Sequence, residues 1–121
     1  MTEPLKEPTE ATLSGIVRVQ AAARPFHYPN GLVEVPICLV SDVNAFRTGR
    51  WKLDRFLTAV RRVLESAIAR RTVFDILAHP SCLGVVDPGF KAVDLILDLV
   101  ERSEGKATIV GLDSPAERAR G

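Results

Sequence analysis

Few residues in this chain have the chemistry of a reactive site, and His79 is the first of them. It closes the apolar run 72–79 (TVFDILAH) and is followed at once by Pro80. An imidazole titrates near neutrality, so a partly exposed histidine can give or take a proton during a hydrolysis. If the run is a strand, its side chains alternate, and Asp75, Leu77 and His79 share one face. Asp75 then lies about 13 Å from His79 along the strand, too far to orient the ring. An orienting carboxylate has to come from another segment, and Asp42, in the loop after the preceding apolar run, is the candidate. The plainer reading is that His79 caps the strand end through a backbone hydrogen bond.

The remaining reactive side chains form no motif. His27 stands alone, far from His79, and no HxxxH, HExxH or CxxC occurs. The chain therefore offers no metal site and no cofactor of its own. Cys38 and Cys82 are too few for a disulfide framework and sit in apolar or loop contexts, as buried free thiols do.

The elements that position these residues alternate in type. The run 31–40 (GLVEVPICLV) reads as a strand, with Pro36 marking an edge, a bulge or a kink. Residues 41–50 read as a loop. Leu53, Phe56, Leu57, Val60, Val63, Leu64, Ala67 and Ile68 keep helical spacing through 53–71. The run 72–79 is the next strand. Asp87 and Pro88 open a second helix, Asp87 as its cap, and Gly105 ends it. A third strand is expected at 106–112 (KATIVGL), then a short helix from the Ser-x-x-Glu spacing at 114–117. A further strand is expected at 14–20 (SGIVRVQ). Strands alternating with helices predict an α/β fold with a parallel sheet and right-handed crossovers. In such folds the chemistry collects at the C-terminal ends of the strands, where His79 and Asp42 both fall.

The totals narrow the function class. The chain has 121 residues, 46% of them hydrophobic, with a net charge of +1, which fits one globular domain with a real core. No apolar stretch is long enough for a membrane span. The opening residues, MTEPLKEPTEATLSG, are polar and acidic, unlike a signal or transit peptide. They predict a cytoplasmic protein with a flexible lead-in over 1–13 and a domain over 14–121. Eight Lys/Arg lie between 47 and 71. Without a recognition motif or interleaved aromatics beyond Trp51 and Phe56, they read as the solvated face of a helix. Neither a nucleic acid nor a membrane is the expected partner.

The segments GLVEVPICLVSDVNAF, GRWKLDRFLTAV, FDILAHPSCLGVVDPGFKAVDLILDLV and ATIVGLDSPAE, taken in order, resemble the C-terminal part of a polysaccharide deacetylase of the NodB-homology kind, over roughly residues 25–118. The resemblance implies a partial (β/α) barrel of parallel strands and the hydrolysis of N- or O-acetyl groups on carbohydrate. In that family a leucine-x-histidine motif supplies the general acid and the wall of the acetyl pocket. Leu77-Ala78-His79 matches it, which implies His79 as acid and Leu77 as a substrate contact. Asp42 is expected in the same space, and Trp51 as an aromatic wall of that pocket. The family also uses a divalent metal such as zinc, held by an aspartate and two histidines in H-x-x-x-H spacing, beside an aspartate that acts as base. This sequence has no aspartate pair and no such histidines, and Arg24-Pro25 does not fall where the family has its arginine-proline motif.

The chain is thus expected to be the second half of a deacetylase domain, inactive alone and acting on acetylated carbohydrate only when a missing N-terminal half completes it. The alternative is a small non-catalytic α/β binding or structural module. A half-barrel would also leave an apolar surface of Ile37, Leu39, Leu77 and either Ile109 or Val110, and so favour self-association.

Overall fold

The computed structural model describes residues 7–22, 24–38 and 40–120. Their order is α1 (Glu10–Ala22), β1 (Phe26–His27), β2 (Val33–Glu34), a π-helical turn (Val43–Thr48), α2 (Leu53–Arg70), α3 (Leu83–Val86), α4 (Lys91–Arg102) and α5 (Asp113–Arg120). The chain is mostly helical. Among the described residues the sheet is one antiparallel pair, with Phe26 opposite Glu34 and His27 opposite Val33. The expected partial (β/α) barrel of parallel strands is therefore incorrect.

Helix α2 is the centre of the molecule. Its spacing brings Phe56, Ala59, Val60, Val63, Leu64 and Ala67 onto one buried stripe, as the periodicity predicts. Helices α1 and α4 pack against it, and α5 packs on the β1–β2 hairpin. The rings of Phe46 and Phe56 meet at 4.8 Å between centroids, tying the π-helical turn to α2. Arg71 ends α2 in the left-handed conformation, and its N–H reaches back to Ala67 and Ile68.

Three of the four expected strands do not form, and the fourth shrinks to two residues. Residues 14–20 belong to α1. The reason is a helical period that begins one residue before that window: Leu13, Ile16, Val17 and Gln20 recur at helical intervals, and all four turn inward, Gln20 donating to the Val73 carbonyl at 3.0 Å. The boundary expected after residue 13 falls inside this helix, and residues 1–6 of the lead-in lie outside the described residues. Among the described residues of 31–40, only Val33 and Glu34 pair, held by the turn in which Gly31, at φ +90°, donates to Tyr28 and Tyr28 donates to Leu32. Pro36 then removes a donor.

Residues 72–79 have no regular structure and build no ladder. Cys38 N–H donates to the Asp75 carbonyl at 2.7 Å, while Phe74 and Ile76 pack on the core. Residues 106–112 lack regular structure altogether. A run of β-favouring residues becomes a strand only where another backbone lies alongside.

Helix α4 begins at Lys91, later than Asp87-Pro88 suggested, yet Asp87 still caps it. That carboxylate is fully buried and accepts from Lys91 N–H and Ala92 N–H, both at 2.9 Å. Gly105, at φ +85°, follows the end of α4. Ser114 lies within α5 and is not its cap.

Phe56 is the largest fully buried side chain, and α1, α4 and the π-helical turn all lean on its helix. Phe56→Ala should destabilise the fold by about 3–5 kcal/mol in urea unfolding. A loss below about 1 kcal/mol would show that α2 does not carry the core.

Candidate functional site

The π-helical turn and the segment 79–83 meet at a buried carboxylate. Asp42 precedes the turn, has 0% side-chain exposure, and accepts hydrogen bonds on both oxygens. Oδ1 takes Val43 N–H at 2.8 Å and lies 3.0 Å from His79 Nδ1. Oδ2 takes Leu83 N–H at 3.2 Å and a short bond from His79 N–H. Pro80 and Ser81 turn the chain so that Cys82 and Leu83 donate back to the His79 carbonyl, at 3.0 and 2.8 Å. The turn presents Leu83 N–H to Asp42 and fixes the backbone under the imidazole.

The His79 ring is 44% exposed, with one edge held by Asp42. Its Nε2 makes no hydrogen bond among the described residues. Burial pushes the Asp42 carboxyl up, but the hydrogen bonds from the His79 ring and from the His79, Val43 and Leu83 amides outweigh it. The net effect holds Asp42 below the usual aspartate value. A buried carboxylate kept ionised and bonded to one nitrogen of an exposed imidazole is an arrangement for moving protons at the other nitrogen.

Two further residues complete the surroundings. Burial pushes the Cys82 thiol up, the Asp42 carboxylate adds to the shift, and Arg47, hydrogen-bonded to the thiol, opposes it. Cys38 is pushed up to about 11, first by burial, with Val40 N–H opposing and the Asp75 carboxyl adding. Both cysteines are free and buried, so they stay protonated and inert near neutral pH. The Arg47–Cys82 contact has no spacing signal in the sequence; the turn at Pro80 is the feature that folds Cys82 back beside Asp42.

The structure brings His79 and Asp42 into direct contact, and Leu77 and Trp51 make no hydrogen bond to either. Leu77 is exposed, and no hydrogen bond ties it to the pair. Trp51 is half-buried, packs on the core, and lies against Gly49, where an added Cβ would meet its Nε1 at 2.7 Å. Its surroundings are those of a packing residue. Burial raises the Asp75 carboxyl above its usual value. His27 is exposed on the hairpin. Of the surface expected to be apolar, Ile37, Leu77, Ile109 and Val110 are exposed, and Leu39 lies outside the described residues.

Among the described residues no three of His, Cys, Asp and Glu converge as a metal site, and none of the helices is long and apolar enough to cross a membrane. The basic stretch is partly neutralised: Lys52 and Arg55 pair with Glu7, and Arg62 pairs with Glu10.

The depressed Asp42 value sets a pH dependence. The ordinary value is 3.8, and the folded state holds Asp42 below it. The carboxylate's contribution to stability is therefore complete above the unfolded-state value and is lost as pH falls through the folded-state value. Asp42→Asn puts an amide N–H against a backbone or ring donor. It should cost about 2–4 kcal/mol near pH 6, and the variant should then lose less than the parent on acidification to about pH 3. Parallel loss in both proteins, followed by urea unfolding at each pH, would remove Asp42 from this role.

Comparison with protein-family models, with curated proteins and with solved structures finds no match for this chain.

Proposed function

We propose that the Asp42–His79 pair is the proton-transfer part of an acyl-hydrolysing site, the substrate being an acetylated carbohydrate, as the resemblance to polysaccharide deacetylases implies. The observation that carries the reading is the 3.0 Å contact between His79 Nδ1 and the fully buried Asp42 carboxylate. Asp42 holds the ring by one nitrogen and favours the tautomer with its proton on Nδ1. In the doubly protonated ring Nε2–H gives its proton to the amine or alcohol that departs when the acyl bond breaks, leaving the neutral Nδ1–H tautomer that Asp42 holds. Leu77, exposed two residues before His79, is the apolar side chain offered to the acetyl methyl.

The residues present do not fit the family's divalent metal. Asp42 is engaged on both oxygens, and the described residues supply no converging third ligand. The part assigned to this chain is confined to the imidazole and the carboxylate that holds it. Activation of the attacking water falls to groups outside the described residues, which in this reading come from a second polypeptide segment carrying the aspartate pair and the H-x-x-x-H.

A second reading has its own support. Asp42 accepts three backbone N–H groups, so it would tie the chain together even with no substrate. In that case the site is a structural clasp in a non-catalytic module.

The test is acetate release from an acetylated amino-sugar oligomer by this chain combined with a complementing segment. His79→Ala should lower turnover by about 10²–10⁴-fold, with little change in stability, because its backbone bond to Asp42 remains. Unchanged turnover in a complex that is active would leave the clasp as the function of the pair.

A further inference from the structure

A cleft of about 720 Å³ opens between α2 and α4, the size of a small-molecule site. Leu57, Thr58 and Arg61 form its α2 wall. Lys91, Asp94, Leu95 and Asp98 form the other; they recur at i, i+3, i+4 and i+7 and so lie along one face of α4. Both walls are secured, α2 by its buried stripe and the first turn of α4 by the Asp87 cap. The apolar part of the cleft is Leu57 and Leu95, each half-buried and packed on the core. The Thr58 hydroxyl donates to the Asp54 carbonyl at 2.9 Å, within its own helix, so the polar character of the cleft rests on its charges.

Those charges are two of each sign. Among the described residues, the side chains of Arg61, Lys91 and Asp94 make no ion pair or hydrogen bond, and Asp98 has only the exposed Arg102. An exposed pair of that kind holds its partners weakly. Opposite charges that share a cleft without meeting are matched by a ligand carrying one of each. Lys91 and Asp98 are about 10 Å apart along the α4 axis, and Asp94 lies between them. A single amino acid is too short for that span, whereas about three extended residues cover it. We propose that the cleft binds a free peptide of about that length with apolar side chains. Its carboxylate meets Lys91 and the planar fork of Arg61, its ammonium meets Asp94 and Asp98, and its side chains lie on Leu57 and Leu95. A neutral sugar answers none of these charges, so the inference is independent of the acyl-hydrolysis reading.

Titration of the full chain with the peptide Leu-Ala-Leu, followed by amide chemical shifts, tests it. The shifts should saturate and be largest in residues 57–61 and 91–98. N-acetyl-Leu-Ala-Leu and Leu-Ala-Leu-amide each lack one terminal charge and should bind at least about three-fold more weakly. Arg61→Gln should weaken the free peptide to a similar degree and leave binding of the amide unchanged. Asp94→Asn should weaken the free peptide and leave binding of the N-acetyl form unchanged. Both side chains are exposed, so the circular dichroism spectrum of each variant should match the parent. Shifts that do not saturate, either capped peptide binding as tightly as the free one, or variants that weaken all three peptides equally would each overturn the proposal.

Discussion

The Asp42 carboxylate is the constraint on which the arrangement around His79 depends. It lies out of contact with water and remains charged, a state tolerated only when every oxygen is well bonded. The bonds come from two segments distant in sequence: Val43 beside it, and His79 and Leu83 beyond α2. Each of these donors would itself be left short of an acceptor without the carboxylate. The charge and the backbone around it therefore hold one another in place. The position of the imidazole follows from where the chain must pass to satisfy Asp42.

The rest of the core serves the same junction from a distance. Phe46, in the π-helical turn that Asp42 opens, packs on Phe56 of α2, so the acid is referenced to the most buried helix. Phe74 and Ile76 bring the chain toward His79 along that core. No continuous sheet is needed for this positioning. Two helical elements and one irregular segment suffice, because the anchoring comes from a charged hydrogen-bond cluster and aromatic packing.

How much of this could be read in the sequence varies by element. Helix α2 was legible because eighteen residues give the period room to declare itself. The cap of α4 was legible in Asp87, although its carboxylate spans the Pro88-Gly89-Phe90 turn to reach Lys91 and Ala92. The pairing of His79 with Asp42 could be inferred because His79 ends one apolar run and Asp42 lies in the loop just after the preceding one. The strands could not. A short run such as 72–79 looks the same whether it has a neighbouring strand or only a helix on one side, and periodicity carries no information about what lies beside a backbone. In 14–20 the signal was obscured by Gln20, a buried polar residue on the inward face of a helix. The three amides on Asp42 were invisible because they are main-chain groups, present at every position and specified by none.

Helix α4 is held very unevenly along its length. Its first turn is fastened by the two-oxygen cap of Asp87 and by buried Ala92, and Leu95 and Ile96 give it partial cover. Its last turn has no buried residue, and the Arg102–Asp98 pair there is exposed to solvent. Such a helix frays from one end. Its amide protons would exchange with solvent in a graded order, fast near Arg102 and slow near Leu95.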